Sequence, residues 1–303
     1  MAVGAVTTAV LWCAVLWSWS WWVALAGALA LLLGYAWVLA LEFVLMAHVN
    51  RVDPTPRVSA SELLCAWWQE VLVAPQVFSW RQPFRWRGLP DDAVPAAPGR
   101  EAVVFVHGFV CNRGLWLPWM QALQQIGRPY TSVNLEPVFG SIDEGTPLIE
   151  DAVQRAQALT GRPPLLVCHS MGGLAVRAWL AATAGAADRV SGVVTIGTPH
   201  HGTWLAQFSH VTNGKQMRIG GEWLKALEVR EAALQDPRPP FTCWYSNADN
   251  IVFPASTATL HGADNRHLPG VPHVAMAFHP RVMRESLAML ASADNSPAAR
   301  TAP

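Results

Sequence analysis

The sequence predicts an α/β fold built on a mostly parallel sheet and preceded by a segment that inserts into a membrane. Three observations favour this architecture. After Arg100, short continuous apolar runs alternate with helical stretches, as in strands joined by helical crossovers. A serine, Ser170, lies where one of these runs meets the next helical stretch. From Met1 to Leu41 the chain carries no Asp, Glu, Lys or Arg.

The composition excludes several classes of protein. Hydrophobic residues make up 52% of the 303 residues and charged residues only 14%, so the chain is not disordered throughout its length. Lys+Arg and Asp+Glu both number 21, which leaves no basic excess for nucleic-acid binding. The 5 cysteines are scattered, with no CxxC pair and no Cys/His ligand spacing. We therefore expect neither a disulfide framework nor a metal site.

Residues 1–48 are expected to form one or two transmembrane segments. A span needs about 20 apolar residues, and this stretch is too long for a buried core helix. It also lacks the basic start of a signal peptide. Either Trp17–Trp22 lies at the membrane interface with Val23–Leu41 as one span, or a hairpin near Gly27 gives two spans.

The distribution of basic residues predicts the orientation. No basic side chain precedes the apolar segment, whereas several follow it. These are Arg51, Arg57, Arg81, Arg85 and Arg87. Because basic flanks favour the cytoplasmic side, we expect the rest of the chain on the cytoplasmic face of the membrane.

Residues 49–99 are predicted to hold an amphipathic helix and a linker. Ser59 and Glu62 fit a capping box, and Pro75 is expected to end the helix. Apolar side chains recur at three-to-four-residue spacing at Leu63, Leu64, Trp67, Trp68, Val71 and Leu72. The pattern leaves two interpretations open, since this face could pack on its own domain or lie on a bilayer.

Residues 100–292 are predicted to form the α/β domain, and residues 293–303 a disordered tail. The predicted strands are Ala102–Val106, Thr131–Leu135, Leu165–Cys168, Val190–Ile196 and Phe241–Tyr245. The predicted helices are Leu148–Leu159, Gly173–Ala182 and His279–Leu290. Residues 203–240, between the last two strands, are expected to form a small cap.

Ser170 is the candidate nucleophile because it stands between a strand and a helix, the context of a nucleophile elbow. Such a sharp turn requires small residues two positions before and two after the serine. Gly172 satisfies this requirement, whereas Cys168 stands where glycine is usual. The plainer interpretation is an ordinary serine at a helix start.

The candidate oxyanion-hole donors are two backbone N–H groups. One belongs to Met171, directly after the serine, and the other to Phe109, in the His-Gly-Phe sequence that follows the first strand. Acyl transfer develops negative charge on an oxygen, and preorganised N–H groups stabilise that charge. The plainer interpretation of the second motif is a glycine turn after a strand.

Together these motifs resemble those of α/β-hydrolases of the bacterial esterase/lipase (triacylglycerol lipase-like) type. The resemblance extends to Thr195–Thr203, which reads Thr-Ile-Gly-Thr-Pro-His-His-Gly-Thr, and to Asn213–Arg218 in the cap. It covers roughly residues 100–292 and not the membrane segment. It implies the α/β-hydrolase fold, with helices on both faces of the sheet, and a triad in the order Ser, acid, His.

The resemblance assigns the acid to Asp249, in the sequence Ser-Asn-Ala-Asp-Asn after the strand Phe241–Tyr245. A triad acid accepts a hydrogen bond from the imidazole, fixes its tautomer and stabilises the imidazolium. The rivals are Asp143, which precedes the serine, and Asp264, which lies well past the strand end.

The base is assigned to His273, in a late loop before the last helix. His279 is the runner-up, although it directly precedes a proline and reads as a helix cap. The remaining candidates are less suitable. His261 and His267 are expected at the surface, and His200 and His201 have no third metal ligand at a plausible spacing.

The resemblance implies a membrane-anchored serine hydrolase that cleaves carboxylic esters through an acyl-enzyme and needs no cofactor. The apolar cap and the membrane segment favour lipid or long-chain acyl esters, with the bilayer as the other partner. An acyltransferase or thioesterase would use the same triad. A catalytically silent binding protein is the third possibility, since Cys168 departs from the usual motif. The sequence predicts neither the substrate-binding residues nor the oligomeric state.

Overall fold

A sheet of six parallel strands lies at the centre of the α/β domain, in the order β2-β1-β3-β4-β5-β6. The computed structural model describes residues 2–91, 93–234 and 237–294. The strands are β1 Val103–Val106, β2 Tyr130–Ser132, β3 Leu165–His169, β4 Gly192–Ile196, β5 Phe241–Tyr245 and β6 Asp264–His267. The predicted parallel sheet is confirmed.

Helices surround this sheet and also precede it. Before the sheet lie α1 Ala2–Leu16, α2 Trp21–Leu32, α3 Gly34–Val49, α4 Ala60–Pro75 and a π-helix, Gln76–Arg85. Within the α/β domain lie α5 Leu117–Gln125, α6 Thr146–Thr160, α7 Met171–Ala182, α8 Thr212–Gln216, α9 Glu222–Ala232, α10 His273–Met276 and α11 Pro280–Asp294. The predicted cap, 203–240, holds α8 and α9, and its residues 235–236 lie outside the described residues. Of the predicted tail, 293–294 belong to α11 and 295–303 also lie outside.

Both faces of the sheet are buried, which explains the continuous apolar runs in the sequence. Successive side chains of a strand point to opposite faces. On β1, Val104 and Val106 therefore belong to one core cluster, with α6 and α7, while Val103 and Phe105 belong to the other, with α5 and α11. Two separate cores thus hold the central strands and fix where each strand ends.

The edges of the sheet depart from the predicted elements. β6 was not predicted, because its sequence Asp-Asn-Arg-His is polar, as suits a strand that pairs on one side only. β2 covers Tyr130–Ser132 rather than Thr131–Leu135. Beyond Ser132 the chain leaves the ladder toward Leu135, whose N–H donates to the Nε2 of His107 at 3.0 Å.

The first two helices pack against each other. Trp12 of α1 donates its indole N–H to the carbonyl oxygen of Val23 on α2 at 3.2 Å. A Cβ on Gly27 would lie 2.1 Å from that indole nitrogen, so glycine is needed for this close approach. The turn between α1 and α2 lies at residues 17–19, before the capping residue Ser20, and not near Gly27 as one interpretation of the sequence expected.

The segment predicted as Val23–Leu41 is not continuous, because α2 ends at Leu32 and α3 begins at Gly34. Among the described residues, no single helix is both long enough and apolar enough to cross a membrane. The pair Trp21–Leu32 and Gly34–Val52, bent by 50°, satisfies the requirement on length and composition alone.

The apolar residues of α4 fall into a buried set and an exposed set. Its capping box of Ser59 and Glu62 is present, as predicted. One set of its apolar residues is buried or half-buried, namely Leu63, Trp67 and Val71. A second set, Leu64, Trp68 and Leu72, is exposed by 55–63% and is called the α4 stripe below. The chain continues past Pro75 as the π-helix Gln76–Arg85.

The helices α3 and α4 pack against the loop that follows β5. Phe43 and Met46 of α3 share a small core with Ala248 and Phe253 of that loop. Just after α3, Asn50 donates from its Nδ2 to the carbonyl of Asn247 at 3.2 Å and accepts the N–H of Ala255 at 3.1 Å. The chain before residue 100 is therefore part of the surroundings of the β5 loop.

Candidate active site

Ser170 sits in a strained turn between β3 and α7. Its backbone has φ of 55° and ψ of −129°, a region that non-glycine residues rarely adopt. Its N–H donates to the carbonyl of Ile196, at the end of β4, at 2.9 Å. Such a strained backbone costs about 1–3 kcal/mol. The sharp turn from strand to helix places the serine at the carboxyl edge of the sheet.

Two glycines allow the turn to close. A Cβ on Gly172 would lie 2.4 Å from the carbonyl oxygen of Val106, and one on Gly108 would lie 2.6 Å from the Cβ of Ser170. Larger residues at either position would displace the strand end from the serine. Cys168 is fully buried in the core and occupies the last β3 position paired with β1, so it is compatible with the turn. Burial raises the pKa of its thiol, which makes it a poor nucleophile.

His273 and Asp249 form a buried pair above the same sheet edge. The Nδ1 of His273 lies 2.9 Å from the Oδ2 of Asp249, and their side chains are only 5% and 2% exposed. The other oxygen, Oδ1, accepts the N–H groups of Ile251 at 2.9 Å and Val252 at 2.8 Å. These bonds hold the carboxylate in one orientation, which in turn fixes the imidazole.

The electrostatic surroundings distinguish His273 from its buried neighbours. Burial lowers its pKa, but the charge and hydrogen bond of Asp249, with the charges of Glu70 and Glu42, raise it overall above the ordinary value of 6.5. Burial lowers the pKa of His107 to about 4 and that of His169 to about 3. Of these three histidines, His273 is the one whose pKa is raised rather than lowered, which suits a group that accepts a proton during the reaction.

Ser170 and His273 are brought together through His169. The Nε2 of His169, the residue before the serine, lies 3.2 Å from the carbonyl oxygen of His273, and the two rings are 4.6 Å apart. In the part of the chain that the structure describes, the Ser170 hydroxyl makes no hydrogen bond with His273. Such bonds commonly form only when substrate is bound.

The two candidate oxyanion donors flank the serine. Met171 begins α7, and Phe109 lies in the turn after β1, next to Val110 with its φ of 55°. Neither N–H group donates to a backbone carbonyl within the described ranges. The ring of His107 bridges the carbonyl of Gly108, at 2.9 Å from its Nδ1, and the N–H of Leu135, and so steadies this turn.

The rival residues have other partners. Asp143 accepts from the indole of Trp223 at 2.6 Å and pairs with Arg230. Asp264 lies on β6, its side chain 54% exposed, and pairs with Arg266. His279 accepts the N–H of Arg281 at 3.3 Å at the start of α11, as expected of a cap.

The remaining histidines do not form a metal centre. His200 is buried, with its Nε2 at 3.1 Å from the hydroxyl of Thr195, whereas His201 is exposed and lies 3.5 Å from Glu228. No group of three or more His, Cys, Asp and Glu side chains suited to a metal occurs in residues 2–91, 93–234 and 237–294.

Three residues near the site were not identified from the sequence. Glu70 of α4 accepts the N–H groups of Val274 and Ala275, directly after His273. Asn250 accepts the N–H of His273 at 3.3 Å and donates to Glu42 of α3 at 2.8 Å. One signal in the sequence could have identified Glu70. At helical spacing it falls among the buried residues of an otherwise apolar face of α4.

The sequence matches one family profile, described as the alpha/beta hydrolase fold, over residues 101–215. The chain has the α/β-hydrolase fold. The matched part contains β1, β3 and α7, and therefore the serine elbow of this hydrolase fold. No curated protein matches the sequence.

Solved structures with this hydrolase fold include lipases. The mature form of Bacillus licheniformis lipase BlEst2 aligns with a TM-score of 0.56 and 18% identity, over 65% of this chain and 94% of that chain. Aspergillus fumigatus lipase B aligns with a TM-score of 0.57 and 20% identity, over 65% of this chain and 55% of that chain. At these identities the similarity establishes the fold alone.

Proposed function

We propose that the protein is a serine hydrolase that cleaves carboxylic esters with Ser170 as nucleophile, His273 as base and Asp249 as acid. The observation that carries this proposal is the strained Ser170 elbow beside the buried His273–Asp249 pair. A strained backbone is retained where the surrounding structure enforces it, and such strain clusters at functional sites. The lipase neighbours of the fold support the same reaction class.

The mechanism follows from the roles of these side chains. The Ser170 hydroxyl attacks the ester carbonyl while His273 takes its proton, and the N–H groups of Phe109 and Met171 stabilise the oxyanion. His273 then protonates the leaving alcohol, which leaves an acyl-enzyme on Ser170. Water, deprotonated by His273, attacks this ester, and the freed serine recovers its proton. Asp249 stabilises the imidazolium in both steps.

The proposed substrates are lipid or long-chain acyl esters. Apolar side chains surround the oxyanion turn, where the ring of Phe109 lies 6.0 Å from that of Phe139. Further exposed apolar side chains are Val138, which precedes Phe139 in the loop after β2, and Phe208 and Ile219 in the cap. Apolar side chains at and near the oxyanion turn suit an acyl chain better than a polar substituent.

Hydrolysis of p-nitrophenyl esters across acyl lengths tests this function, with detergent-solubilised protein and fluorophosphonate labelling of the serine in parallel. We expect labelling at Ser170 and faster hydrolysis of the longer esters. Ester products formed with added alcohols, or preferential cleavage of thioesters, would instead identify a transferase or thioesterase. Absence of both turnover and labelling would indicate a silent binding protein.

The raised pKa of His273 predicts the pH dependence of the reaction. The base must be neutral to accept the serine proton, so activity is lost as the pH falls through its pKa. Because this pKa lies above 6.5, the acid limb of kcat/KM should have its midpoint above pH 6.5. A pH profile of kcat/KM for a soluble ester checks this, and a midpoint well below 6.5 would contradict the assignment of the base.

We also propose that residues 1–48 hold the protein on a bacterial inner membrane, with the hydrolase domain on the cytoplasmic side. Apolar side chains of α1 and α2 are largely exposed, including Leu11 at 60%, Val15 at 72% and Trp22 at 67%. Exposed apolar surface of this extent is costly in water and is typical of membrane contact. Protease added to spheroplasts should leave the hydrolase domain intact; digestion from outside would contradict this orientation.

Replacing Leu11 and Val15 with lysine should release the protein from membranes. Each lysine costs about 3 kcal/mol at the centre of a bilayer, so most of the double variant should appear in the soluble fraction after carbonate extraction. Val229→Lys is the matched control, because Val229 is 70% exposed on α9, far from these helices in the chain. Equal membrane fractions for wild type and double variant would argue against attachment through α1.

A further inference from the structure

A carboxylate that the mechanism does not use lies beside the base. Glu70 is on α4, before the predicted hydrolase domain, and is 1% exposed. Removing a carboxylate from water is costly unless hydrogen bonds replace its hydration, so such groups are rarely buried without a role. Both of its oxygens are used.

The partners of Glu70 are the backbone of the turn that carries His273. Its Oε1 accepts the N–H of Val274 at 2.9 Å, and its Oε2 accepts the N–H of Ala275 at 3.1 Å. These two residues directly follow His273 in α10, a helix of 4 residues. The first N–H groups of a helix have no acceptor within it. Glu70 therefore supplies the hydrogen-bond acceptors for two of these N–H groups.

The backbone of His273 is held from other directions as well. Its N–H donates to Asn250, next to Asp249, and its carbonyl lies 3.2 Å from the Nε2 of His169. Asn250 in turn is bonded to Glu42 of α3. Contacts from the β5 loop and the serine elbow thus meet on the backbone of His273, and Glu70 of α4 holds the two amides that follow it.

Resting on the proposed function, we propose that Glu70 is a positioning residue for the base: it fixes the His273 turn through two backbone amides and adds negative charge beside the imidazole. The groups that face this pair are Asp249, Glu42 and His169. Because Glu70 belongs to α4, the segment before residue 100 is part of the catalytic apparatus as well as a connection to the apolar helices.

The electrostatics agree with this geometry. Burial raises the pKa of Glu70 to about 7, against the opposing effect of the Val274 and Ala275 amides and of the His273 charge. The charges of Glu70 and His273 therefore influence each other. Loss of the Glu70 charge removes one of the influences that raise the pKa of His273.

Glu70→Gln tests the proposal, because glutamine keeps the side-chain size and one acceptor oxygen but loses the charge and the second acceptor. Three quantities are compared in full-length, detergent-solubilised protein: kcat, KM and the acid limb of kcat/KM, each per fluorophosphonate-labelled site. We expect kcat to fall about 10²-fold with KM within about 2-fold. We expect the acid limb to move about one pH unit lower.

Two further variants separate charge, position and folding. Glu70→Asp keeps the charge but is too short to reach both amides, so kcat should fall while the acid limb stays near that of the wild type. Asp151→Asn removes an exposed carboxylate on α6, its side chain 67% exposed, and should change neither quantity. Fewer labelled sites with normal kcat and an unmoved limb in Glu70→Gln would show a purely structural role and overturn the proposal.

The test also distinguishes this inference from the proposed function. The rate at which a fluorophosphonate labels Ser170 depends on the base but needs no ester turnover, so its pH dependence reports His273 directly. Wild-type protein that is inert to both esters and label would refute the proposed function. Active wild type whose pH profiles coincide with those of Glu70→Gln would refute the role of Glu70 alone.

Discussion

Replacing Ser170 with alanine should lower kcat for ester hydrolysis by about 10⁶-fold, since comparable serine hydrolases lose nearly all activity without the nucleophile. The substitution removes the only atom that can form the proposed acyl-enzyme. It should leave the fold intact, because the Ser170 side chain makes no capping hydrogen bond to α7. The measurement is p-nitrophenyl ester hydrolysis by purified variant and wild type, with the thermal unfolding midpoint of each.

Fluorophosphonate labelling provides the control. Wild-type protein should be labelled at Ser170 and the variant should not. Residual activity above about one part in 10³ of wild type, with unchanged thermal stability, would indicate another nucleophile or a contaminating esterase. Cys168 could not be that nucleophile, because it is fully buried and its thiol pKa is raised.

Replacing Asp249 with asparagine should lower kcat by about 10⁴-fold. An amide can present an N–H group to the Nδ1 of His273, which favours the tautomer that cannot accept the serine proton, and it no longer stabilises the imidazolium. One side-chain oxygen remains to accept the N–H groups of Ile251 and Val252, so the loop should keep its shape. The variant is assayed for kcat at the pH optimum of the wild type.

Asp264→Asn is the matched control, since it makes the same chemical change in the rival residue. Asp264 is exposed on β6 and pairs with Arg266, away from the imidazole. The kcat of Asp264→Asn should stay within about 2-fold of wild type, because an exposed ion pair contributes little to the stability of the fold. A large loss in Asp264→Asn together with a small loss in Asp249→Asn would reverse the assignment of the acid.

The sequence predicted the interior of the sheet better than its edges. Strands such as Leu165–His169 are buried on both faces, so they appear in the sequence as continuous apolar runs. Such runs can be recognised without knowing which strands lie next to them. β6 pairs on one side and is polar, so hydropathy gives no indication of it. The break at Leu33 was missed for a related reason, because the residues on both sides are equally apolar.

Some residues of the proposed site could be identified from the sequence, and others only from the fold. Ser170, Asp249 and His273 could be named because their roles require particular residue types in a known order along the chain. Glu70 and Asn250 could not, because their partners are backbone amides far away in sequence. Any acceptor in the right place would serve, and only the fold determines where that place is.

The length of α4 determines how its two faces are oriented relative to each other. The α4 stripe and Glu70 lie on opposite sides of a helix with 3.6 residues per turn. The angle between them around the helix axis therefore depends on the number of residues that separate them. A single residue inserted between Trp68 and Glu70 would rotate one face against the other by about 100°. Length changes between Trp68 and Glu70 should therefore be tolerated far less than substitutions within the α4 stripe, and related chains should keep the number of residues in this helix constant while the stripe varies.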